Sequence, residues 1–199
     1  MTLPWSQAAA NNAAAILEVL RARFVSPGTV VEVGAGTGQH AATFSCALPQ
    51  LNWQPLDVPN HLPIINARNH HDGGRAQPAL AYDAAHLWPS GLTADYIYTA
   101  NTFHIMAEPL VVRCIEHLCQ ALNGAGPVVV YGPFNIDGQF TSDSNAAFHR
   151  HLQAQDPRMG IRDKEWVCEQ FERYQLALAD DVAMPANNRC LVFERLRRS

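Results

Sequence analysis

The sequence has no long apolar run, no excess of basic residues and no paired cysteine motif. Its 199 residues carry a formal net charge of −4. Nucleic-acid-binding surfaces usually show a basic stripe, which this composition does not indicate. No apolar stretch reaches the roughly 18 residues that a transmembrane helix needs, and the N-terminus lacks a basic-then-apolar signal pattern. We therefore expect a cytoplasmic protein without a nucleic-acid or membrane partner; its oligomeric state stays open.

Metal sites and disulfides also lack a sequence signal. The five cysteines are odd in number and none belongs to a C-x-x-C pair. We interpret them as buried free thiols in a reducing compartment, with a metal or disulfide role as the alternative. The nine histidines include His70-His71 and His149-x-His151, and neither pair has cysteines or carboxylates at zinc-like spacing. The sequence predicts no metal ligand.

The most informative stretch that is present runs from Thr29 to His40, TVVEVGAGTGQH. A short apolar run rich in β-branched residues is followed by a glycine turn and a helix-compatible segment, an order typical of nucleotide-binding corners in α/β domains. The third glycine comes one residue earlier than in the dinucleotide fingerprint, and Gln39 stands where that fingerprint has glycine. The pattern Glu-x-Gly-x-Gly-x-Gly resembles the first motif of S-adenosylmethionine (SAM) methyltransferases. Another nucleotide, or only a tight structural turn, remains an alternative. The candidate cofactor residues here are Glu32, Gly34, Ala35, Gly36, Thr37 and Gly38.

The rest of the chain alternates between helical and strand patterns. Helices are predicted over residues 7–24, 39–48, 59–69, 108–122, 141–155 and 164–174, and strands over 29–33, 51–56, 79–82, 95–100, 127–131, 175–182 and 189–195. We expect one domain over residues 1–199: a Rossmann-like α/β fold of the class I methyltransferase type, with a mostly parallel seven-stranded sheet, a C-terminal antiparallel hairpin and helices on both faces. The terminal hairpin argues against a nicotinamide dehydrogenase.

Polar residues follow several of the predicted strands. Asp57 ends the second strand about 20 residues after the glycine turn, which is where an acid binds ribose hydroxyls, and Val58 follows it. Asp83, followed by Ala84, ends the third strand and can accept a hydrogen bond from the adenine amine. Asn101 follows the fourth. Because ligands of open α/β sheets bind at the carboxyl ends of the strands, we expect these residues to contact a cofactor.

Two residues are candidates for catalysis. His104 follows the fourth strand and Tyr131 ends the fifth, so either can act as a base if the methyl acceptor arrives protonated. The alternatives are structural: His104 can hydrogen-bond a loop backbone, and Tyr131 can simply pack.

Four further residues are candidates for substrate contacts. Asn12 lies in the first helix, in a segment that is either a fraying helix start or a polar lid, and His40 follows the glycine turn. Asn187 and Asn188 lie between the last two strands, where an Asn-Asn pair is also common in turns.

Several stretches together resemble one family. They are VEVGAGTGQHA, LNWQPLD, YTANTFHI, VVVYGPF followed by GQFTSDSN, DPRMGIRD and MPANN. The chain resembles the methyltransferase-like 26 family, also called domain of unknown function 938, along nearly its whole length. The resemblance implies a SAM-dependent methyltransferase fold, with S-adenosylhomocysteine (SAH) as product, and no known substrate. The chain departs from the family in the first helix, where Asn11, Asn12 and Ala13 replace the usual Arg-Asn pair and following Lys.

Three functions follow as hypotheses. The first is a SAM-dependent methyltransferase acting on a small molecule. The second is a SAM- or nucleotide-binding protein without catalysis, with a regulatory or scaffolding role. The third, a Rossmann oxidoreductase, is disfavoured by the glycine spacing.

Overall fold

A mostly parallel sheet forms the centre of the molecule. The computed structural model of the chain describes residues 2–86 and 88–196. Its strands are β1 (Gly28–Val33), β2 (Leu51–Asp57), β3 (Leu80–Ala81), β4 (Tyr96–Ala100), β5 (Val128–Gly132), β6 (Phe134–Asn135), β7 (Arg162–Asp163), β8 (Leu176–Met184) and β9 (Asn188–Arg195). Seven of them form one sheet in the order β3-β2-β1-β4-β5-β9-β8, with β9 antiparallel to both β5 and β8. The predicted fold class is confirmed.

Helices connect the strands. They are α1 (Gln7–Arg23), α2 (Gln39–Ala47), α3 (Leu62–His71), α4 (Glu108–Ala121), α5 (Asp143–Gln155) and α6 (Lys164–Glu172). Short 3-10 helices span Pro59–His61, Phe103–Ile105 and Pro185–Asn187. Ser6 and Ser142 cap α1 and α5 through their hydroxyl groups, which satisfies backbone N–H groups at each helix start.

The two faces of the sheet bury two separate cores. Successive side chains of a strand point to opposite faces. Val31 and Val33 accordingly pack in a core with α4 and α6, whereas Val30 packs in a second core with α1 and α2. Full burial of one such side chain stabilises the fold by about 1.5–3 kcal/mol. The helices therefore lie on both faces, as predicted.

Some local predictions are wrong. The third strand is only two residues long and exposed, because it is an edge strand paired solely with β2. The parallel pair of β6 and β7 was not predicted, since strands of two residues leave no periodic pattern. Asp163 precedes α6 but makes no capping hydrogen bond through its side chain.

The cysteines are free thiols, as predicted, but not all of them are buried. Cys114, Cys119 and Cys190 are buried, whereas Cys46 is exposed. Within residues 2–86 and 88–196, no three His, Cys, Asp or Glu side chains are grouped so that they could hold a metal ion. None of the helices in these ranges combines the length and apolar character needed to cross a membrane.

Candidate functional site

A cavity of about 380 Å³ opens at the carboxyl edge of the sheet. It lies where β1, β2 and β4 end, the position at which open α/β sheets bind ligands. Residues from the glycine turn, from the ends of β2, β3 and β4 and from the start of α1 line it. The lining includes ten of the predicted site residues: Gly34, Ala35, Gly36, Thr37, His40, Asp57, Val58, Asp83, Ala84 and Asn101.

The three glycines of the turn have different roles. All three have positive φ angles, which glycine adopts without strain. A Cβ atom on Gly34 would lie 2.4 Å from Thr102 Oγ1, and one on Gly38 would lie 2.9 Å from Ile65 Cα, so these two positions are closed by packing. A Cβ on Gly36 would have no neighbour within 4 Å. Gly36 alone therefore leaves its backbone open to a ligand; Gly38, predicted to bind cofactor, is not part of the cavity wall.

The carboxylate of Asp57 is held in a fixed orientation. Oδ2 accepts a hydrogen bond from Gly36 N at 2.6 Å, and Oδ1 accepts from Val58 N at 2.7 Å. His61 Nδ1 lies 2.8 Å from the same Oδ1. A carboxylate has about four acceptor sites, so three donors leave capacity for a ligand hydroxyl.

Asp83 lines the cavity at the end of the strand next to Asp57, since the backbone N of Tyr82 donates to Asp57 O at 2.8 Å. Asp83 Oδ1 accepts from Ala85 N at 2.8 Å, a turn hydrogen bond, while the side chain remains 41% exposed. Ile105, Met106 and Leu110 supply apolar lining to the same cavity. A flat apolar group with a polar edge would match this end of the cavity.

The start of α1 closes the cavity from above. Ser6 and Ala9 line it. Gln39 ties this helix start to the glycine turn, because its Oε1 accepts from Ser6 N at 2.6 Å and from Thr37 Oγ1 at 2.9 Å. Ser6 and Ala9, and not Asn12, therefore line the cavity, and a lid function of this segment stays a prediction.

A buried polar network lies beneath this lid. His40 Nε2 lies 3.2 Å from Ala9 O and 2.8 Å from Asn12 Oδ1, and Tyr98 OH lies 3.0 Å from His40 Nδ1. Burial lowers the pKa of His40 to about 4, so the ring is neutral at neutral pH. Nε2–H then donates to the two carbonyl oxygens, and Nδ1 accepts from the tyrosine. Both nitrogens of His40 and the Oδ1 of Asn12 are engaged within the protein. His40 lines the cavity and Asn12 does not, and their role in substrate contacts stays a prediction.

Glu32 belongs to the interior. It is 2% exposed, and Trp53 Nε1 donates to its Oε2 at 2.6 Å. Burial raises the pKa of Glu32 to about 8, opposed by the tryptophan hydrogen bond and assisted by the charge of Asp57. This placement corrects the expectation that Glu32 contacts the cofactor, because its side chain points to the α1–α2 face of the sheet.

Neither candidate base lines the cavity. His104 is buried, packs edge-on against Phe148 and has its carbonyl bonded by Gly160 N at 3.0 Å. A Cβ atom placed on Gly132 would lie 4.0 Å from both His104 Nδ1 and Asn101 Oδ1. The two side chains thus lie close to Gly132 at the end of β5, as does the ring of Phe134. Burial, together with the smaller effect of the positive charge of Arg162, lowers the pKa of His104 to about 4.

Tyr131 and the two C-terminal asparagines lie farther along the same edge. Tyr131 is buried in the α1–α2 core, and burial raises the pKa of its phenol, while the side chains of Asn12 and Asn188 partly oppose that shift. Asn187 is exposed, has a φ of 57° and accepts from Asn145 Nδ2 at 3.2 Å through its carbonyl. Asn188 Nδ2 donates to Pro185 O at 3.1 Å, so its side chain makes a hydrogen bond within the turn that joins β8 and β9.

A family model matches residues 3–195, nearly the whole chain. The chain belongs to the DUF938 family. That family is described as proteins of unknown function, so membership assigns this protein no reaction.

Solved methyltransferase structures resemble this DUF938 protein. An O-methyltransferase family 2 protein from Planctomyces limnophilus, in complex with apigenin, matches with a TM-score of 0.83 at 18% identity, over 95% of this chain and 58% of that one. An O-methyltransferase family protein from Burkholderia thailandensis matches with a TM-score of 0.79 at 18% identity, over 94% and 57%. CalO1, a methyltransferase of calicheamicin biosynthesis in its SAH-bound form, matches with a TM-score of 0.71 at 20% identity, over 92% and 54%. This chain thus spans just over half the length of these proteins, and at such identities the likeness shows the Rossmann-like fold.

Several cavity residues of this DUF938 protein were not predicted. Tyr82 and Cys114 lie in the wall behind Asp83, and the buried Tyr82 hydroxyl lies 3.0 Å from His117 Nδ1. His61 and Ile105 belong to 3-10 helices, which leave no periodic signal in a sequence. His61 could have been noticed, because it follows Asp57 by four residues, at the carboxyl end of a parallel strand.

Proposed function

We propose that this DUF938 protein is a SAM-dependent methyltransferase that acts on a small molecule. The observation that carries the proposal is the pairing of Gly36, open to the cavity, with Asp57, whose carboxylate is held at the cavity wall. The likeness to SAH-bound and apigenin-bound methyltransferases supports the same reaction class, as does the methyltransferase-like 26 resemblance of the sequence.

The cavity residues fit SAM. Gly36 supplies a backbone cradle that a side chain would fill, and Asp57 retains acceptor capacity for ribose hydroxyls. Val58 would pack against the nucleoside, and Asp83 with Ala84 would take the adenine edge beside the apolar wall. Asn101 lies between this cavity and the space over Gly132, where it would orient the methionine part.

SAM supplies an electrophilic methyl group on a sulfonium. The protein's main task is then to hold the donor and the acceptor in line, which can account for about 7–11 kcal/mol of the barrier. His104 is the proposed base: its low pKa keeps the imidazole neutral at neutral pH, so Nδ1 or Nε2 can accept the acceptor's proton. Tyr131 is proposed to position the acceptor through its hydroxyl.

The acceptor is proposed to bind beyond Asn101, over Gly132. β9 begins at Asn188 and pairs antiparallel with β5, which brings Asn187 and Asn188 to the carboxyl end of β5. Their amides would orient a polar small molecule there.

One observation favours a second candidate, a SAM-binding protein without catalysis. His104 and Tyr131 are buried and do not line the cavity, as a protein that only binds SAM would allow. The two candidates differ in turnover and not in SAM affinity.

Two measurements on the purified protein test the proposal. Calorimetry should show SAM and SAH binding at micromolar concentrations and no binding of NAD. Incubation of the protein with SAM labelled in the methyl group and a metabolite extract should yield a labelled small molecule. Binding of NAD in preference to SAM would overturn the proposal. Binding of SAM without label transfer to any extract fraction would select the second candidate.

A further inference from the structure

A histidine outside the predicted site contacts the acid at the centre of the cavity. His61 ends the 3-10 helix that follows β2, and its side chain is 48% exposed at the cavity wall. Its Nδ1 lies 2.8 Å from Asp57 Oδ1, whereas the Asp57 side chain itself is only 9% exposed. His61 is thus the solvent-facing partner of an acid whose other two donors are backbone N–H groups.

The donors around Asp57 divide between its two oxygens. Gly36 N donates to Oδ2, and Val58 N together with His61 donates to Oδ1. For His61 to donate, Nδ1 must carry the proton, which leaves Nε2 as an acceptor when the ring is neutral. Within the described ranges the side chain of His61 makes no hydrogen bond other than the one to Asp57, so Nε2 has no protein partner.

These contacts fix the plane of the carboxylate. Val58 N and His61 occupy both acceptor sites of Oδ1, and Gly36 N occupies one of Oδ2, so one site on Oδ2 remains for a single ligand hydroxyl. Hydrogen bonds to charged groups are also stronger than those between neutral groups. An acid in this arrangement favours a ligand that places one hydroxyl group at this site over a ligand that lacks it.

We propose that His61 is a specificity-determining positioning residue, which orients Asp57 so that the cavity selects nucleosides with an intact 2′-hydroxyl. The inference rests on the proposed function, since it assigns the ribose of SAM to Asp57. A phosphate on the 2′ position would bring negative charge next to Asp57, and the site excludes such ligands as well.

The chain offers a test position, His61, and a matched control position, His71. His61→Ala removes the ring and the hydrogen bond, whereas His61→Asn retains an N–H donor near the position of Nδ1. His71 serves as the control, because its Nδ1 lies 2.6 Å from Asp72 Oδ1 in a similar histidine–aspartate pair that does not line the cavity. His61 and His71 are both exposed, so neither alanine variant should lower the melting temperature appreciably.

The experiment measures SAH affinity by calorimetry for each variant, with adenosine and 2′-deoxyadenosine as competitors. His61→Ala should raise the Kd of SAH about tenfold, because Asp57 then keeps only its two backbone donors and its hydrogen bond to the ligand is less well aligned. His61→Asn should recover most of that loss, and His71→Ala should match the wild type. The preference for adenosine over 2′-deoxyadenosine should shrink in His61→Ala. In Asp57→Ala, removal of His61 should have no additional effect, since His61 acts through Asp57.

The outcomes separate the inference from the proposed function. A folded wild-type protein that binds no SAH would overturn both. Wild-type binding with an unchanged Kd and unchanged ribose preference in His61→Ala would overturn the inference alone. Additive effects of His61→Ala and Asp57→Ala would also overturn it, because they would show that His61 contacts the ligand independently.

Discussion

Two parts of the sheet edge differ in how they are built. The proposed cofactor side comprises Gly34–Thr37, Asp57 and Asp83: the glycine turn follows β1, Asp57 ends β2, and Asp83 lies two residues after β3. The proposed acceptor side comprises His104, Tyr131, Gly132 and Asn188; there His104 meets Phe148 and Gly160, and Tyr131 meets Asn12, all from distant segments. The cofactor side is thus specified by local sequence, whereas the acceptor side depends on how α1, α5 and the hairpin pack.

This difference has a functional consequence. A cofactor site set by strand ends can be shared by proteins with many substrates, because its geometry follows from the sheet. A site assembled from distant loops can change its specificity without disturbing the cofactor. We therefore expect substitutions on the cofactor side to change binding of SAH, and those on the acceptor side to change turnover.

The largest effect should come from Gly36→Val. A valine side chain would occupy the cavity, and the φ of 57° at position 36 is strained for a β-branched residue. Calorimetry should detect no SAH binding. The control is Gly73→Val, which imposes similar strain at a φ of 67° in an exposed turn, where a Cβ also has no neighbour within 4 Å. Equal loss of SAH binding in both variants would attribute the effect to backbone strain and contradict the proposal that the ligand lies against the backbone of Gly36.

The next effect concerns His104 on the acceptor side. With a substrate from the label-transfer screen, His104→Ala should lower turnover about 10²- to 10⁴-fold, the usual contribution of a general base, while the affinity for SAH stays nearly intact. Because the pKa of His104 is about 4, wild-type turnover should remain high at mildly acidic pH and fall as the pH approaches 4.

Two further variants separate a base from a packing residue. His104→Gln preserves polarity without a titratable group, so it should be as slow as His104→Ala. Tyr131→Phe keeps the ring and should have the smaller effect on turnover. Loss of SAH affinity in parallel with turnover in His104→Ala would place His104 in the core or beside the cofactor and refute the base.

The third effect concerns the free energy of unfolding and comes from Glu32, which is buried beneath the cofactor side. The folded pKa of Glu32 is about 8 against an ordinary value of 4.5, so between these pH values the folded state holds a proton that the unfolded state has released. The stability associated with protonated Glu32 is therefore fully present below pH 4.5 and is lost as the pH rises through 8.

Glu32→Gln should remove this dependence. Gln keeps an oxygen for Trp53 Nε1 and has no proton to lose. The free energy of unfolding of the variant relative to wild type should rise by about 1 kcal/mol per pH unit between pH 5 and 7.5. Parallel curves from denaturant titrations of the two proteins would mean that Glu32 is ionised when folded.

The smallest effect should come from Asp83→Asn. One oxygen of Asp83 already serves the Ala85 turn, and the side chain is 41% exposed, so only the second oxygen is available to the adenine amine. SAH affinity should fall by about 0.5–1.5 kcal/mol, the value of a single hydrogen bond. Unchanged affinity in calorimetry would leave Asp83 with its turn role alone.

The same contrast explains which features could be predicted from the sequence. The mostly parallel seven-stranded sheet and the positions of Asp57 and Asn101 at its edge followed from strands, turns and helices in alternation, because parallel strands bring their carboxyl ends together. Glu32 was misplaced because neighbouring strand residues face opposite sides of the sheet, and one apolar run on a strand buried on both faces does not show which. The packing partners of Gly34 and Gly38, Thr102 and Ile65, come from other segments and could not be identified from the sequence.

The acceptor side could not be predicted in detail for a related reason. The packing of His104 against α5 and of Tyr131 against α1 joins residues that no periodic pattern connects. The short pair of β6 and β7, which brings the segment around Arg162 to Phe103, also falls below the length at which alternation is visible.

A crystal structure of the protein with SAH would test the central claim most directly. The account predicts that the ribose hydroxyls contact Asp57, that the backbone of Gly36 lies against the ligand, and that the thioether sulfur faces Asn101 with open space toward Gly132 and His104. SAH bound elsewhere on the protein, or bound here with its sulfur directed away from Gly132, would contradict the division into a cofactor side and an acceptor side.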